Sequence, residues 1–436
     1  MLALLLAVCC AGRAAADQPK RPLPDYDGRS DPTTAGDVLI WVPRVLMSPL
    51  YLVSEYVVRR PLGFLVSAAE RAQLPSALYE LFTFGPDHRA GLLPIAFVDF
   101  GFYPSVGLYF FWNDALVPHH DLRIRASTWG ADWLAASWTD RFHLDARTDV
   151  VFQAVGIRRP DYRFYGLGST APDADRSRYG ASRLDANLSI DSRFQELSHV
   201  VSTFGARSVS FHRGEFGHEP ELEERVAAGR FELPDGYERG YTVLYERLQL
   251  IIDSRRARPE SGSGVRVVTS VEQLSDVRRA PGAGMLRYGM NAGGFWDIGD
   301  HGRVVSLSLA AAFADPLGRS PVPFTELASI GGEESMRGFP AGRLYGRSNA
   351  VATLRYRWPI WVWLDGSLQF ALGNVFDAQL AGFKPRLLRF SGALGIESVG
   401  SPDSSLEILI GLGSETFAQG GQISSVRFVV GTNHGF

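Results

Sequence analysis

The stretch Pro323–Pro359 reads PFTELASIGGEESMRGFPAGRLYGRSNAVATLRYRWP. It opens as a loop, turns at Gly331-Gly332, presents Arg337-Gly338-Phe339, and closes on an alternating run that ends Arg355-Tyr356-Arg357-Trp358-Pro359. Adjacent glycines reach backbone conformations that other residues resist, so a long loop can fold tightly on itself. An arginine held in such a turn projects a permanently charged fork of five donors toward a partner remote in sequence.

Outward from this loop the chain alternates in both directions. From residue 90 to 436 it divides into segments of roughly ten residues separated by turn signals, the pattern of a transmembrane barrel. The predicted strands are 90–101, 105–113, 120–129, 132–141, 146–157, 182–194, 198–213, 242–256, 264–276, 286–299, 303–315, 348–361, 366–377, 386–398, 404–417 and 423–436. In 303–315, Val305, Leu307, Leu309, Ala311 and Phe313 share one face, and Ser306, Ser308 and Ala310 share the other. In 242–256, Leu244, Leu248, Leu250 and Ile252 oppose Arg247, Gln249 and Asp253, with Glu246 the exception on the apolar face. A charge facing lipid near the midplane costs about 2–4 kcal/mol, so the charged face belongs to the lumen. Connections also alternate. Long ones follow the fifth, seventh and eleventh strands (158–181, 214–241, 316–347), and short ones follow the even strands. This asymmetry places both termini on the short-turn, periplasmic side and the arginine loop in the sixth external connection.

The fold class expected is therefore all-β: a sixteen-stranded antiparallel transmembrane β-barrel at 90–436, its arginine loop at 317–347, behind a short α-helical N-terminal segment. Residues 1–16 read as a secretory signal, with Leu2–Cys10 as apolar core and Ala14-Ala15-Ala16 as a small-residue cleavage site; a lipoprotein reading through Cys9 or Cys10 is the alternative. Residues 17–37 form a Pro- and Asp-rich linker. Residues 38–89 read as short helices cut by Pro43, Pro49, Pro61 and Pro75, placed at the barrel's periplasmic end or in the membrane interface.

The RGF loop and the strand closing on Arg357-Trp358-Pro359 resemble those of the outer-membrane assembly-factor superfamily, the bacterial surface antigen family of BamA, TamA and Sam type. Tyr165-Gly166-Leu167-Gly168 resembles an aromatic–glycine element of the same barrels. The resemblance implies a sixteen-stranded barrel in a Gram-negative outer membrane, a loop folded back into the lumen, and a seam between first and last strands that opens laterally. It also implies periplasmic POTRA modules of βααββ order, which the Pro-broken segment before residue 90 does not spell, so the chain resembles a subgroup lacking them. Members of the family place acids on the walls that meet the loop arginine. Here Arg355 and Ala371 stand where such acids are expected, which leaves Glu397 and Glu407 as the candidate lumen partners of Arg337. At the seam, Pro94 lacks a ladder donor and Gly431 lies near the end of the last strand. The terminal Phe436 resembles the signal read by the barrel assembly machinery.

The chain's 436 residues carry a net charge of -3, which gives no reason to expect a nucleic-acid partner. Its two cysteines lie within the first ten residues, so neither a disulfide nor a Cys-type metal site is expected beyond them. Its nine histidines join no Gly-x-Ser-x-Gly elbow and no His-Glu-x-x-His helix, and neither catalytic residues nor a cofactor is expected. The acidic run Glu219–Glu224 reads as solvated loop. The expected partners are outer-membrane lipids, the machinery that inserts the barrel and a separate periplasmic protein. The function expected is assistance to insertion, assembly or translocation of proteins or lipids. The alternatives are a passive pore or structural surface barrel and a lipid-active barrel enzyme.

Overall fold

The computed structural model describes residues 73–256, 262–278, 283–332, 335–361, 364–399 and 405–433, together with the isolated positions 56, 60, 64 and 71. Most of the predicted signal, linker and N-terminal helices, and Phe436, lie outside the described residues.

Sixteen long antiparallel strands close on themselves. They are β1 (Ala90–Asp99), β2 (Ser105–Trp112), β3 (His120–Thr128), β4 (Leu134–His143), β5 (Thr148–Phe164), β6 (Ser177–Arg193), β7 (His199–Arg213), β8 (Tyr241–Asp253), β9 (Gly264–Asp276), β10 (Gly284–Asp297), β11 (Val304–Pro316), β12 (Ser348–Trp361), β13 (Leu364–Phe376), β14 (Arg389–Ser398), β15 (Ser405–Ser414) and β16 (Ile423–Asn433). Each pairs with its sequence neighbours, and β16 returns to β1.

Alternation decides which face each side chain takes. Leu244, Leu248 and Ile252 on β8 and Leu307 and Leu309 on β11 are exposed on the outside, whereas Asp253 on β8 and Glu272 on β9 are buried within. Apolar groups outside and charges inside invert the plan of a soluble barrel and suit a hydrocarbon surround. Glu246 stays on the outer face, opposite Phe204 and Gln273 in register.

Two expectations need correction. The long connection expected at 158–181 is half strand: β5 runs on to Phe164 and β6 begins at Ser177. Pro160 reads as a strand breaker, yet the register shift between Arg159 and Tyr162 absorbs it, as a bulge can. The acidic run is not simply solvated. Helix α2 (Leu222–Ala227) starts there with a Glu221/Glu224 capping box, and Glu219 accepts a hydrogen bond from Arg178 at 2.7 Å.

Ahead of the barrel, helix α1 (Leu74–Phe82) carries Pro75 in its first turn, where the missing N–H costs least. It leads into Thr83–Phe84, which pairs with Gly91 and Ala90 at the start of β1. This is the edge of β1 that β16 also uses. Among the described residues β16 meets β1 at three register pairs, Val429 with Asp99, Val430 with Val98 and Gly431 with Phe97, with one further bond from the Phe100 N–H to the Phe428 carbonyl at 2.9 Å, whereas β11 meets β10 over the whole run Met285–Asp297. Between the two partners, residues 92–96 have no strand on that edge among the described residues, and Pro94 sits at the centre of this gap. The described residues build no βααββ module.

Candidate functional site: the loop and the seam

The loop between β11 and β12 turns back into the barrel. Its limbs pair as a short hairpin, Ala328–Ile330 with Leu344–Gly346. At the tip Gly331 and Gly332 take φ of 111° and 92°, and the Gly332 amide donates to the Phe339 carbonyl at 2.9 Å. These left-handed conformations suit glycine and let the tip close on itself. Met336, Phe339 and Leu344 bury fully, against Val351, Ala371 and Val375 of β12 and β13.

The tip rests on the backbone of β15. A Cβ on Gly338 would lie 1.9 Å from the Leu412 carbonyl oxygen, and one on Gly413 would strike the Phe339 ring at 2.3 Å. Small residues on both surfaces are the condition for the contact. The Gly338 amide donates to Ser391 Oγ at 2.9 Å, and Ser425 Oγ donates to the Gly338 carbonyl at 3.0 Å.

Arg337 forms an ion pair with Glu407 on β15. Glu397, the other candidate, accepts instead from Arg355 at 2.7 Å. Two further inward arginines near the loop are also matched: Arg357 lies 3.4 Å from Asp365, and Arg389 pairs with Glu415. Arg355 and Ala371, which depart from the family pattern, thus have local roles, the first opposite Glu397 and the second in the apolar seat under Phe339.

Sequence reasoning missed three groups. Arg427 on β16 is the first. Its Nη2 donates to Asp99 Oδ2 at 2.8 Å across the seam, and its Nη1 donates to the carbonyls of Gly332 at 2.5 Å and Arg337 at 3.3 Å. One buried guanidinium therefore holds both barrel edges and the loop tip. Alternation marks Arg427 as inward-facing, and counting register would have set it near Asp99.

Glu326 is the second, at the loop's neck on the opposite wall. It accepts from Arg207 Nη1 at 2.8 Å, Arg287 Nη1 at 3.0 Å and Tyr241 Oη at 2.7 Å. Burial alone would push its carboxyl up, but Arg207 and Arg287 hold it below the ordinary value. Beside it, the Phe324 ring lies 5.3 Å from Phe164 and Tyr179 and 5.2 Å from Phe211.

The third is the seat of the 165–176 loop, whose Tyr165-Gly166-Leu167-Gly168 element is legible in the sequence but whose packing against the returning limb of the RGF loop is not. Arg343 lies over the Tyr165 ring at 4.5 Å and donates to the Ala171 carbonyl at 3.0 Å and to Glu415 at 3.2 Å. The Gly168 amide donates to the Tyr345 carbonyl at 2.9 Å. Arg178 binds the top of β1 through the Gly101 carbonyl at 2.5 Å. The RGF loop thus crosses the lumen from β7–β10 to β15–β16, and the turn after β1 is held by Arg178 of β6 while β1 itself pairs with β16.

Residues 236–388, from just before β8 through the RGF loop to just before β14, match the Omp85 superfamily domain. That match covers less than half of the chain. Among solved structures, BamA from Haemophilus ducreyi lacking POTRA domains 1-3 superposes with a TM-score of 0.55 at 15% identity, over 79% of this chain and 70% of that one. CdiB from Acinetobacter baumannii gives a TM-score of 0.49 at 13% identity, over 79% of this chain and 60% of that one. At such identities the likeness to BamA is one of fold. No curated protein matches the sequence. With its apolar outer belt, the chain is a β-barrel of BamA-like fold whose residues 236–388 are similar to the Omp85 superfamily domain.

Proposed function

We propose that the barrel assists insertion, assembly or translocation of proteins or lipids at the outer membrane, with the β1–β16 seam as its working element and the RGF loop as the latch. The observation that carries this reading is the position of Arg427, which grips Asp99 on β1 and the carbonyls of Gly332 and Arg337 on the loop. A lost backbone hydrogen bond costs about 1 kcal/mol net in water and several in lipid. Three register pairs can therefore open at a cost that a full-length strand pair forbids. On this reading the termini and short turns face the periplasm and the long loops lie outside. The role is non-catalytic, and a separate periplasmic protein delivers the client. A structural surface barrel is the second reading; the Phe324 aromatic cluster and the loop across the lumen favour it over an open pore.

V98C/V430C tests the proposal at the central seam pair, where paired strands approach closely enough for a disulfide. In liposomes the wild type is expected to speed the folding of an unfolded outer-membrane barrel added from denaturant. The oxidised variant is expected to lose this and regain it on reduction. Full activity with the seam tethered would contradict the seam as working element, and a wild type without activity would favour the structural reading.

A further inference from the structure

The lumen holds a second feature that does not depend on the seam. Between β3 and β8 the inner wall lines a cavity of about 350 Å³. Six arginines face it: Arg123 and Arg125 on β3, Arg141 on β4, Arg183 on β6, Arg207 on β7 and Arg247 on β8. Two carboxylates, Asp121 and Asp185, share the lining. Guanidinium groups gathered around one cavity repel one another, so each needs either an acid or a bound anion.

Four of the six have identifiable neighbours. Arg207 lies 2.7 Å from Asp185 and 2.8 Å from Glu326, and Arg183 shares Asp185 at 2.9 Å. Arg123 donates to Asn113 at 2.7 Å and lies 3.5 Å from Asp121. Arg125 stands over the Tyr109 ring at 5.4 Å. Arg141 and Arg247 have neither ion pair nor hydrogen bond among the described residues.

The acids opposite these two in register are already engaged. Asp121 stands opposite Arg141 in register but lies 3.5 Å from both Arg123 and His143. Glu272 stands opposite Arg247 but lies 3.2 Å from Arg287 and 3.6 Å from Arg207. The cavity therefore presents two guanidinium forks, with Thr139 and Gln153 on its wall as neutral hydrogen-bonding groups. A fork of this kind matches the paired oxygens of a phosphate.

We propose that this cavity is an oxyanion site for a phosphate-bearing group, held by Arg141 and Arg247. The group arrives either as free phosphate or as the headgroup of an anionic lipid. In both cases the recognition is the same bidentate chemistry. The site is built into the wall of β3–β8, away from the seam.

The test uses the full-length protein in detergent micelles, titrated with inorganic phosphate against sodium chloride at matched ionic strength. Phosphate is expected to bind saturably and to raise the thermal midpoint beyond the chloride control. R141Q/R247Q is expected to weaken phosphate binding by roughly tenfold or more, since both charge-assisted forks are lost. R141K/R247K keeps the charge without the fork and is expected to bind with intermediate strength, which also supplies a reading if the Gln pair misfolds. Phosphorus analysis separates the sources: phospholipid retained one-to-one through purification, and lost in R141Q/R247Q, identifies a headgroup. Phosphate binding without retained lipid identifies the free anion. Equal stabilisation by chloride, or phosphate affinity unchanged in both double variants, overturns the proposal.

Discussion

Arg427 Nη2 and Asp99 Oδ2 lie 2.8 Å apart across the closure of the barrel, and both side chains are nearly buried. They join residues 328 positions apart in the chain, at the shortest strand pairing of the barrel among the described residues. Removing one partner of a buried ion pair typically costs about 3–5 kcal/mol, because the other charge is left uncompensated. R427Q and D99N are each expected to lower the denaturation midpoint by that order, with the double variant less than additive. Folded and unfolded fractions separated by gel mobility measure it. Two silent single variants would remove the pair from the account.

Seating of the loop tip depends on Gly338. G338A places a methyl group against the Leu412 carbonyl, in a gap that the backbone of β15 fills. The expected result is a displaced loop, seen as rapid protease cleavage between Gly331 and Arg343 in an otherwise intact barrel. Gly332 has more space, so G332A is expected to be milder, with a penalty of about 1–2 kcal/mol from its left-handed φ.

Arg337 and Glu407 are expected to act as one unit. R337A and E407Q should each release the loop to protease, and combining them should add little. E397Q, which touches Arg355 instead, should leave the loop seated. A cycle in which R337A and E407Q add fully would assign the arginine another partner.

The neck makes the latch sensitive to acid. The Glu326 carboxyl is held below its ordinary value of 4.5 by Arg207 and Arg287 despite burial. A lowered acid pKa contributes stability that is whole above the ordinary value and is lost as pH falls through the folded value. Protease accessibility of the loop should therefore stay flat from about pH 7 to about pH 5 and rise below that range. E326Q should begin less stable and show a weaker rise.

Much of this architecture is readable from the order of residues. Period-two alternation and turn chemistry suffice to bound 264–276 and 348–361, because lipid on one side and water on the other penalise every slip of register. They fail at Pro160, where a bulge lets the strand run on. The loop motif is visible, whereas its anchors are not. Alternation shows that Arg427, Glu407 and Gly413 face inward, but a face is not a partner. Partners follow from how far the loop reaches into the lumen, which depends on Gly338 meeting the β15 backbone. Glu326 gives no signal of its own, because one acid ahead of a double glycine carries no periodicity.

Hydrogen exchange of the barrel in lipid nanodiscs tests the central claim most directly. The account predicts that the amides of Val429–Gly431 and Phe97–Asp99 exchange far faster than those of Gly289–Gly293 within the β10–β11 pair, and faster again in R427Q. Protection at the seam equal to that of β10–β11, unchanged by R427Q, would contradict it.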